Sequence, residues 1–276
     1  MAVTLQSRDR SSPRPVGEQM ELLFDDAVNE LSESLPDRLP DPPDLDSYTV
    51  RVSKQARSVS LRVLPLHGLE VTIPRRFPRR EVPAVIAENR EWISRQFAKV
   101  REETDPEFLV WPPRVLRLRA IDSVVSVNCT PTSASSVRAS WSDAVLSIDG
   151  NIADRQAVME VIVGVLKQRA RVVLLPQLTE LAALHGLSFK RCAIRGQKTV
   201  WGSYSSSGTL SLNYKLLFLP PELVQYVLLH ELAHIRHLNH SRQYWAFLET
   251  MQTGAKTLDR ALGEAGKLVP PWLETL

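Results

Sequence analysis

One stretch limits this chain more than any other: His230-Glu231-Leu232-Ala233-His234-Ile235-Arg236-His237-Leu238-Asn239-His240, which holds four of the chain's six histidines. His230, Glu231 and His234 form the H-E-x-x-H arrangement of zinc hydrolases. Histidines at i and i+4 lie one helical turn apart on one face, so both imidazoles can reach a single Zn²⁺ at about 2.0–2.1 Å. Glu231 follows the first ligand directly and is placed to reach a water rather than the metal. Leu223, Val224, Val227, Leu228, Leu232 and Ile235 supply an apolar period close to 3.6. Pro220-Pro221-Glu222 supplies a helix start with proline and an early carboxylate. The motif thus reads as the second half of a buried helix.

Catalytic zinc usually takes three protein ligands and a water, and His237, His240 and Glu249 are the candidates for the third. On a continuous helix His237 would lie about 10 Å along the axis from His230, and His240 about 15 Å. His237 cannot share the metal in that geometry, and it reads instead as an imidazole at a helix C-terminus, where the macrodipole favours it. His240 can ligate if the helix ends and the chain turns back, and Asn239 can adopt the left-handed conformation that ends helices. His240 is the favoured third ligand. Glu249 is the alternative, as a carboxylate on a following helix.

The residues around the motif resemble a known family. Gln197-Lys198-Thr199-Val200-Trp201-Gly202-Ser203-Tyr204-Ser205 comes first, then Leu210-Ser211-Leu212-Asn213-Tyr214, Pro220-Pro221-Glu222, the histidine motif, and Asn239-His240-Ser241 with Tyr244-Trp245. This order is similar to the YgjP-like metal-dependent hydrolases, relatives of the SprT and WLM zinc metallopeptidases. Upstream, Arg57-Ser58-Val59-Ser60-Leu61-Arg62-Val63 and Leu69-Glu70-Val71-Thr72-Ile73-Pro74 extend the likeness, which covers roughly residues 48–250. The resemblance implies a minimal zincin fold (a helix, a β-hairpin, then the H-E-x-x-H helix), with His230, His234 and His240 as ligands and Glu231 as catalytic acid/base. Two positions depart from the family's usual residues: Val200 stands where Arg is usual, and Tyr204 where Cys is.

Elsewhere the chain alternates or repeats at helical period. Tyr48, Val50 and Val52, then Val59, Leu61 and Val63, then Leu69, Val71 and Ile73 read as three strands of a small antiparallel sheet, with a turn at His67-Gly68. A helix is expected from about Arg79 to Glu103, with Pro83 in its first turn. Three or four strands are expected between Val115 and Ile148, closed by Asp149-Gly150-Asn151. A long helix follows from about Asp154 to Leu184, kinked at Pro176 unless two helices meet there, and His185-Gly186 ends it. Residues 195–214 read as a β-hairpin turning at Ser205-Ser206-Ser207-Gly208. This hairpin could offer unpaired backbone groups to an extended peptide. Tyr214 or Tyr244 could donate to a developing oxyanion. Trp201 and Trp245 read as core anchors.

Charge divides the chain. Residues 1–46 carry four basic and eleven acidic residues, a net of −7, and the whole chain is +3, so residues 47–276 carry +10. That tail also holds six of the nineteen prolines, which favours a solvated, disordered arm. A short helix with Phe24, Val28, Leu31 and Leu35 on one face would make it a docking element instead. The expected domains are the tail 1–46, a β-rich domain 47–150 with one helix, and a zincin-like catalytic domain 151–276. The densest basic run, Pro74-Arg75-Arg76-Phe77-Pro78-Arg79-Arg80, leaves a nucleic-acid partner open. No stretch has the length and apolarity of a membrane span, residues 1–10 contain no apolar run of a secretion signal, and Cys129 and Cys192 form no C-x-x-C pair. These features suggest a cytoplasmic protein with reduced thiols.

The expectation is an α+β fold with a mononuclear Zn²⁺ site, hydrolysing amide bonds of a peptide or protein substrate. Two other classes stay open: a DNA-associated, SprT-like zinc protease, and a non-enzymatic interaction protein stabilised by zinc. The first calls for salt-sensitive DNA binding, the second for a fourth protein ligand that closes the metal site.

Overall fold

The computed structural model describes residues 48–66 and 68–274. The acidic tail, its expected helix on Phe24, Val28, Leu31 and Leu35, and His67 of the expected turn lie outside them. Strands β1 (Tyr48–Ser53), β2 (Ser60–Leu64) and β3 (Gly68–Pro74) form a sheet in the order β1-β3-β2. The sheet is mixed rather than antiparallel. β2 and β3 pair antiparallel with Leu61 opposite Val71, whereas β1 runs parallel to β3 with Val50 opposite Val71. Side-chain alternation is the same in both pairings, so the sequence pattern cannot tell them apart. Leu69, Val71 and Ile73 of the central strand are buried against Val82, Ile86 and Ile93. These last three come from two helices, α1 (Val82–Glu88) and α2 (Arg90–Glu103), where the sequence suggests one. The break falls at Asn89, whose side-chain amide donates to the Val85 carbonyl at 2.8 Å, the competition with helical bonding that makes Asn a boundary residue. Arg75, Arg76, Arg79 and Arg80 of the basic run are all exposed.

Four strands follow: β4 (Val115–Leu118), β5 (Ser123–Pro131), β6 (Arg138–Ser142) and β7 (Val145–Gly150), in the order β4-β5-β7-β6, with β5 and β7 parallel. One face carries Leu116, Leu118, Val125, Val127, Leu146 and Ile148 into the large core. The long helix α3 (Arg155–Leu184) brings every fourth residue from Val158 to Ala182 into that same core. Residues four apart lie on adjacent turns of one face, so this spacing makes a stripe along the whole helix. α3 starts on Asp154, which accepts from the Ala157 N–H. It runs through Pro176 as one helix. Proline there deprives the Val172 carbonyl of its helical donor, but Val172 and Pro176 are both exposed, so the lost bond lies on the solvent side of the helix. The helix ends in a Schellman turn: Gly186 takes φ 61°, its N–H donates to Ala183, and the Leu187 N–H donates to Ala182.

The motif-bearing half adds β8 (Arg191–Arg195), β9 (Gly202–Tyr204) and β10 (Thr209–Asn213). β9 and β10 form the hairpin, narrower than residues 195–214, and β8 joins the other side of β10 in parallel, leaving β9 at the sheet edge. A 3₁₀ turn, Tyr214–Phe218, is buried throughout and leads to α4 (Pro221–Ala233), α5 (Arg242–Met251) and α6 (Ala255–Glu264). The strands β4–β7, the stripe of α3 and the buried face of α4 share one cluster of apolar side chains. The expected boundary at residue 150 therefore falls within a continuous core. Among the described residues no helix is long and apolar enough to cross a membrane.

Both cysteines are free. Burial pushes the Cys192 thiol up to about 11, against the weaker opposing pull of Arg171. Thiolate is the reactive species, so at pH 8 alkylation of Cys192 should run about a hundredfold slower in folded protein than in urea. Equal rates by mass spectrometry would show that this environment is absent in solution.

Candidate metal centre

α4 carries the motif because its apolar residues point inward along most of its surface: Leu223, Val224, Val227, Leu228, Leu229 and Leu232 are all buried. Such a helix is fixed by packing on several sides, and its imidazoles inherit that rigidity. Pro221 sits at its first position, where the missing N–H costs nothing. The helix ends earlier than Asn239. His234 is already its C-cap, and the N–H groups of Ile235, Arg236 and His237 fold back onto the carbonyls of Leu232 and Ala233. Asn239 is not among the residues with positive φ, so the chain is turned by this early C-terminal unwinding and not by a left-handed Asn. Ser241 then caps α5 by accepting from the Tyr244 N–H, and His240 is carried back over the motif.

The result is a cluster. One ligating atom from each of His230, His234 and His240 can be chosen so that all lie within 4.8 Å of one another, and the Nε2 atoms of His230 and His240 are 3.1 Å apart. Tyr244 is the floor of this cluster. Its ring stacks on His234 at 4.8 Å and meets His230 and His240 edge-on. Burial, then the imidazoles of His234 and His240, lowers His230 to about 4. Burial likewise lowers His234. Both are therefore neutral at physiological pH, the form in which imidazole binds a metal.

The outer contacts orient these rings. His234 Nδ1 lies 2.9 Å from the His237 carbonyl oxygen, which can only accept, so Nδ1 carries the proton and Nε2 is free to ligate. His230 Nδ1 lies 3.3 Å from the Tyr226 hydroxyl, which in turn donates to Asp259 at 2.9 Å. His237 itself packs edge-on against Phe247. Glu249 is occupied elsewhere: its two carboxylate oxygens accept from the N–H groups of Gly254 and Ala255 and cap the start of α6.

Glu231 is 5% exposed, and its Oε2 has no hydrogen-bond partner among the described residues. Burial pushes its carboxyl up to about 8. Gly202 lies against it so closely that a Cβ on that glycine would come 2.6 Å from Glu231 Oε1. The segment before β9 is pinned by Asn213, whose amide donates to the carbonyls of Gln197 and Val200 and whose oxygen accepts from the Lys215 N–H.

The other residues singled out from sequence are placed as follows. Tyr244 is fully buried, and its hydroxyl donates to the His230 carbonyl at 3.3 Å. An oxyanion role would require it to give up that bond. Tyr214 is buried beside Gly196 and Lys167. Trp201 and Trp245 are partly buried and pack on the core. Tyr226, Asp259 and Gly202 were not among the site residues expected from sequence. Tyr226 precedes His230 by four residues, the same-face spacing that identified His234, so it was detectable. Asp259 and Gly202 reach the site only through tertiary packing.

A family model described as YgjP-like, metallopeptidase domain, matches residues 57–265. Among solved structures, the metallopeptidase zymogen abylysin of Pyrococcus abyssi is 28% identical, over 33% of this chain and 93% of its own, with a TM-score of 0.30. The metallopeptidase zymogen jannalysin of Methanocaldococcus jannaschii is 24% identical, over 34% of this chain and 95% of its own, also with a TM-score of 0.30. No curated protein matches. The family match spans well over half of the sequence and takes in the whole histidine cluster, so the chain belongs to the YgjP-like metallopeptidase family, as a metal-dependent peptidase acting on peptide or protein substrates.

Proposed function

We propose that the chain is a zinc peptidase in which His230, His234 and His240 hold Zn²⁺ and Glu231 is the general acid–base. One observation carries this reading: three imidazoles converge beside a buried carboxylate whose Oε2 has no hydrogen-bond partner among the described residues. The donor set fits zinc, since imidazole nitrogen suits it and three protein ligands leave a position for water and substrate. Zinc held there by His230, His234 and His240 would supply Lewis acidity for water and for the scissile carbonyl. The chain supplies the proton transfers. Glu231 accepts a proton from the attacking water and returns it to the departing amine. β9 is the edge strand beside Glu231. An extended peptide adding to that edge would be held by main-chain hydrogen bonds, with its backbone passing the carboxylate.

Zinc content and affinity test the ligand set. Wild type should bind about one zinc per chain. His234→Ala and His240→Ala should each weaken binding at least about tenfold, the loss expected when a coordination shell is disturbed. Glu249→Ala should leave zinc affinity within about twofold and lower stability by about 1 kcal/mol, because it removes a helix cap. Zinc lost with Glu249 and retained without His240 would exchange the roles of the two residues.

A further inference from the structure

We infer that Asp259, acting through the Tyr226 hydroxyl, fixes His230 in the tautomer that binds metal. The inference rests on His230 being a ligand, and it makes Asp259 and Tyr226 positioning residues. A neutral imidazole carries one N–H and one bare nitrogen, so His230 can ligate through Nε2 only if the proton sits on Nδ1. The Nδ1 contact is the Tyr226 hydroxyl at 3.3 Å. A hydroxyl can both donate and accept, so by itself it selects neither tautomer.

Asp259 removes that ambiguity. Its Oδ1 lies 2.9 Å from the Tyr226 oxygen, and an ionised carboxylate can only accept. The tyrosine has one proton, and a charge-assisted bond to carboxylate outcompetes a neutral one to imidazole. The proton therefore points at Asp259, and the side of the oxygen facing His230 can only accept. Tyr226 has no exposed surface, so bulk solvent does not compete for the hydroxyl. The two other imidazoles differ in this respect. His234 is fixed by a carbonyl of its own turn, and His240 is exposed. His230 is the ligand whose tautomer depends on a side chain from another helix, α6, whose start is in turn capped by Glu249.

Without the carboxylate the hydroxyl can rotate and donate to Nδ1, which leaves the proton on Nε2 and blocks the ligating atom. Asp259→Asn tests this with little change of shape, since an amide can donate to the tyrosine oxygen and release its proton toward His230. In full-length protein, zinc affinity by chelator competition should fall about tenfold or more in Asp259→Asn and in Tyr226→Phe. The double variant should be no worse than Tyr226→Phe by more than about twofold, because residues acting in series are not additive. In metal-free protein, ¹⁵N NMR of histidine should show wild-type His230 protonated on Nδ1 and a tautomer mixture in Asp259→Asn, with His234 unchanged in both. Asp259→Asn with wild-type affinity and an unchanged His230 tautomer, or additive losses in the double variant, would overturn the relay. His234→Ala is the control: if it leaves zinc bound, the zinc-site reading itself fails, whereas zinc lost in His234→Ala but kept in Asp259→Asn rejects the relay alone.

Discussion

Glu231→Gln is expected to keep zinc and lose about 10²–10⁴-fold in kcat, the range that general acid–base groups contribute. The substitution preserves shape and hydrogen-bonding capacity but cannot take up a proton from water. Metal retention follows from geometry: Glu231 is not part of the cluster formed by His230, His234 and His240, and the buried contacts that fix α4 are untouched. Folding should not suffer either, since burial already disfavours the ionised carboxyl and an amide carries no charge to desolvate. The check is a peptide-hydrolysis assay alongside zinc analysis of the same sample. Activity within about tenfold of wild type would remove Glu231 from the proton-transfer role. Zinc loss as complete as that of His234→Ala would instead make it part of the metal site.

The contrast between Glu231 and Glu249 shows how far the sequence could be read. The pair proposed as ligands was legible because it is local: i and i+4 on an apolar-periodic helix place two imidazoles together whatever surrounds them. The carboxylate proposed to activate water was legible for the same reason. The third ligand was not settled by spacing, because His240 and Glu249 both become reachable once the chain turns. The structure brings His240 into the cluster and turns the Glu249 carboxylate onto the N–H groups of Gly254 and Ala255, a capping role that depends on where α6 begins. Strand pairing failed similarly. Tyr48, Val50 and Val52 alternate as an edge strand should, but alternation carries no direction, and β1 runs parallel to β3. The helix through Pro176 stayed whole because its lost hydrogen bond lies on an exposed face, which a one-dimensional reading sees only when the apolar stripe on the opposite side is traced residue by residue. Tyr226 could have been noticed by the same i and i+4 argument, but its meaning needed Asp259, thirty-three residues away.

Gly202→Ala is expected to cost about 10²-fold or more in kcat while leaving zinc bound, although the added group is one methyl. That methyl would stand 2.6 Å from Glu231 Oε1, 2.7 Å from its Cγ and 2.8 Å from its Cδ, distances that force one side to move. Gly202 is held in β9 by pairing with Leu212 of β10, and the segment leading into β9 is tied down by Asn213. Glu231 is buried on a helix packed on several sides. The side chain with torsional freedom is the carboxylate, so it is the group that shifts, and a displacement of about 1 Å at a reacting group can cost 10²-fold. Overpacking should also lower stability by about 1–3 kcal/mol. The cause can be isolated by a cycle. In a Glu231→Ala background the obstructing atoms are gone, so the stability loss from Gly202→Ala should largely disappear, a coupling that neighbours show and distant sites do not. A loss of the same size in both backgrounds would mean that the methyl acts on the strand rather than on Glu231. Normal kcat in Gly202→Ala would mean that β9 does not lie this close to the carboxylate during turnover.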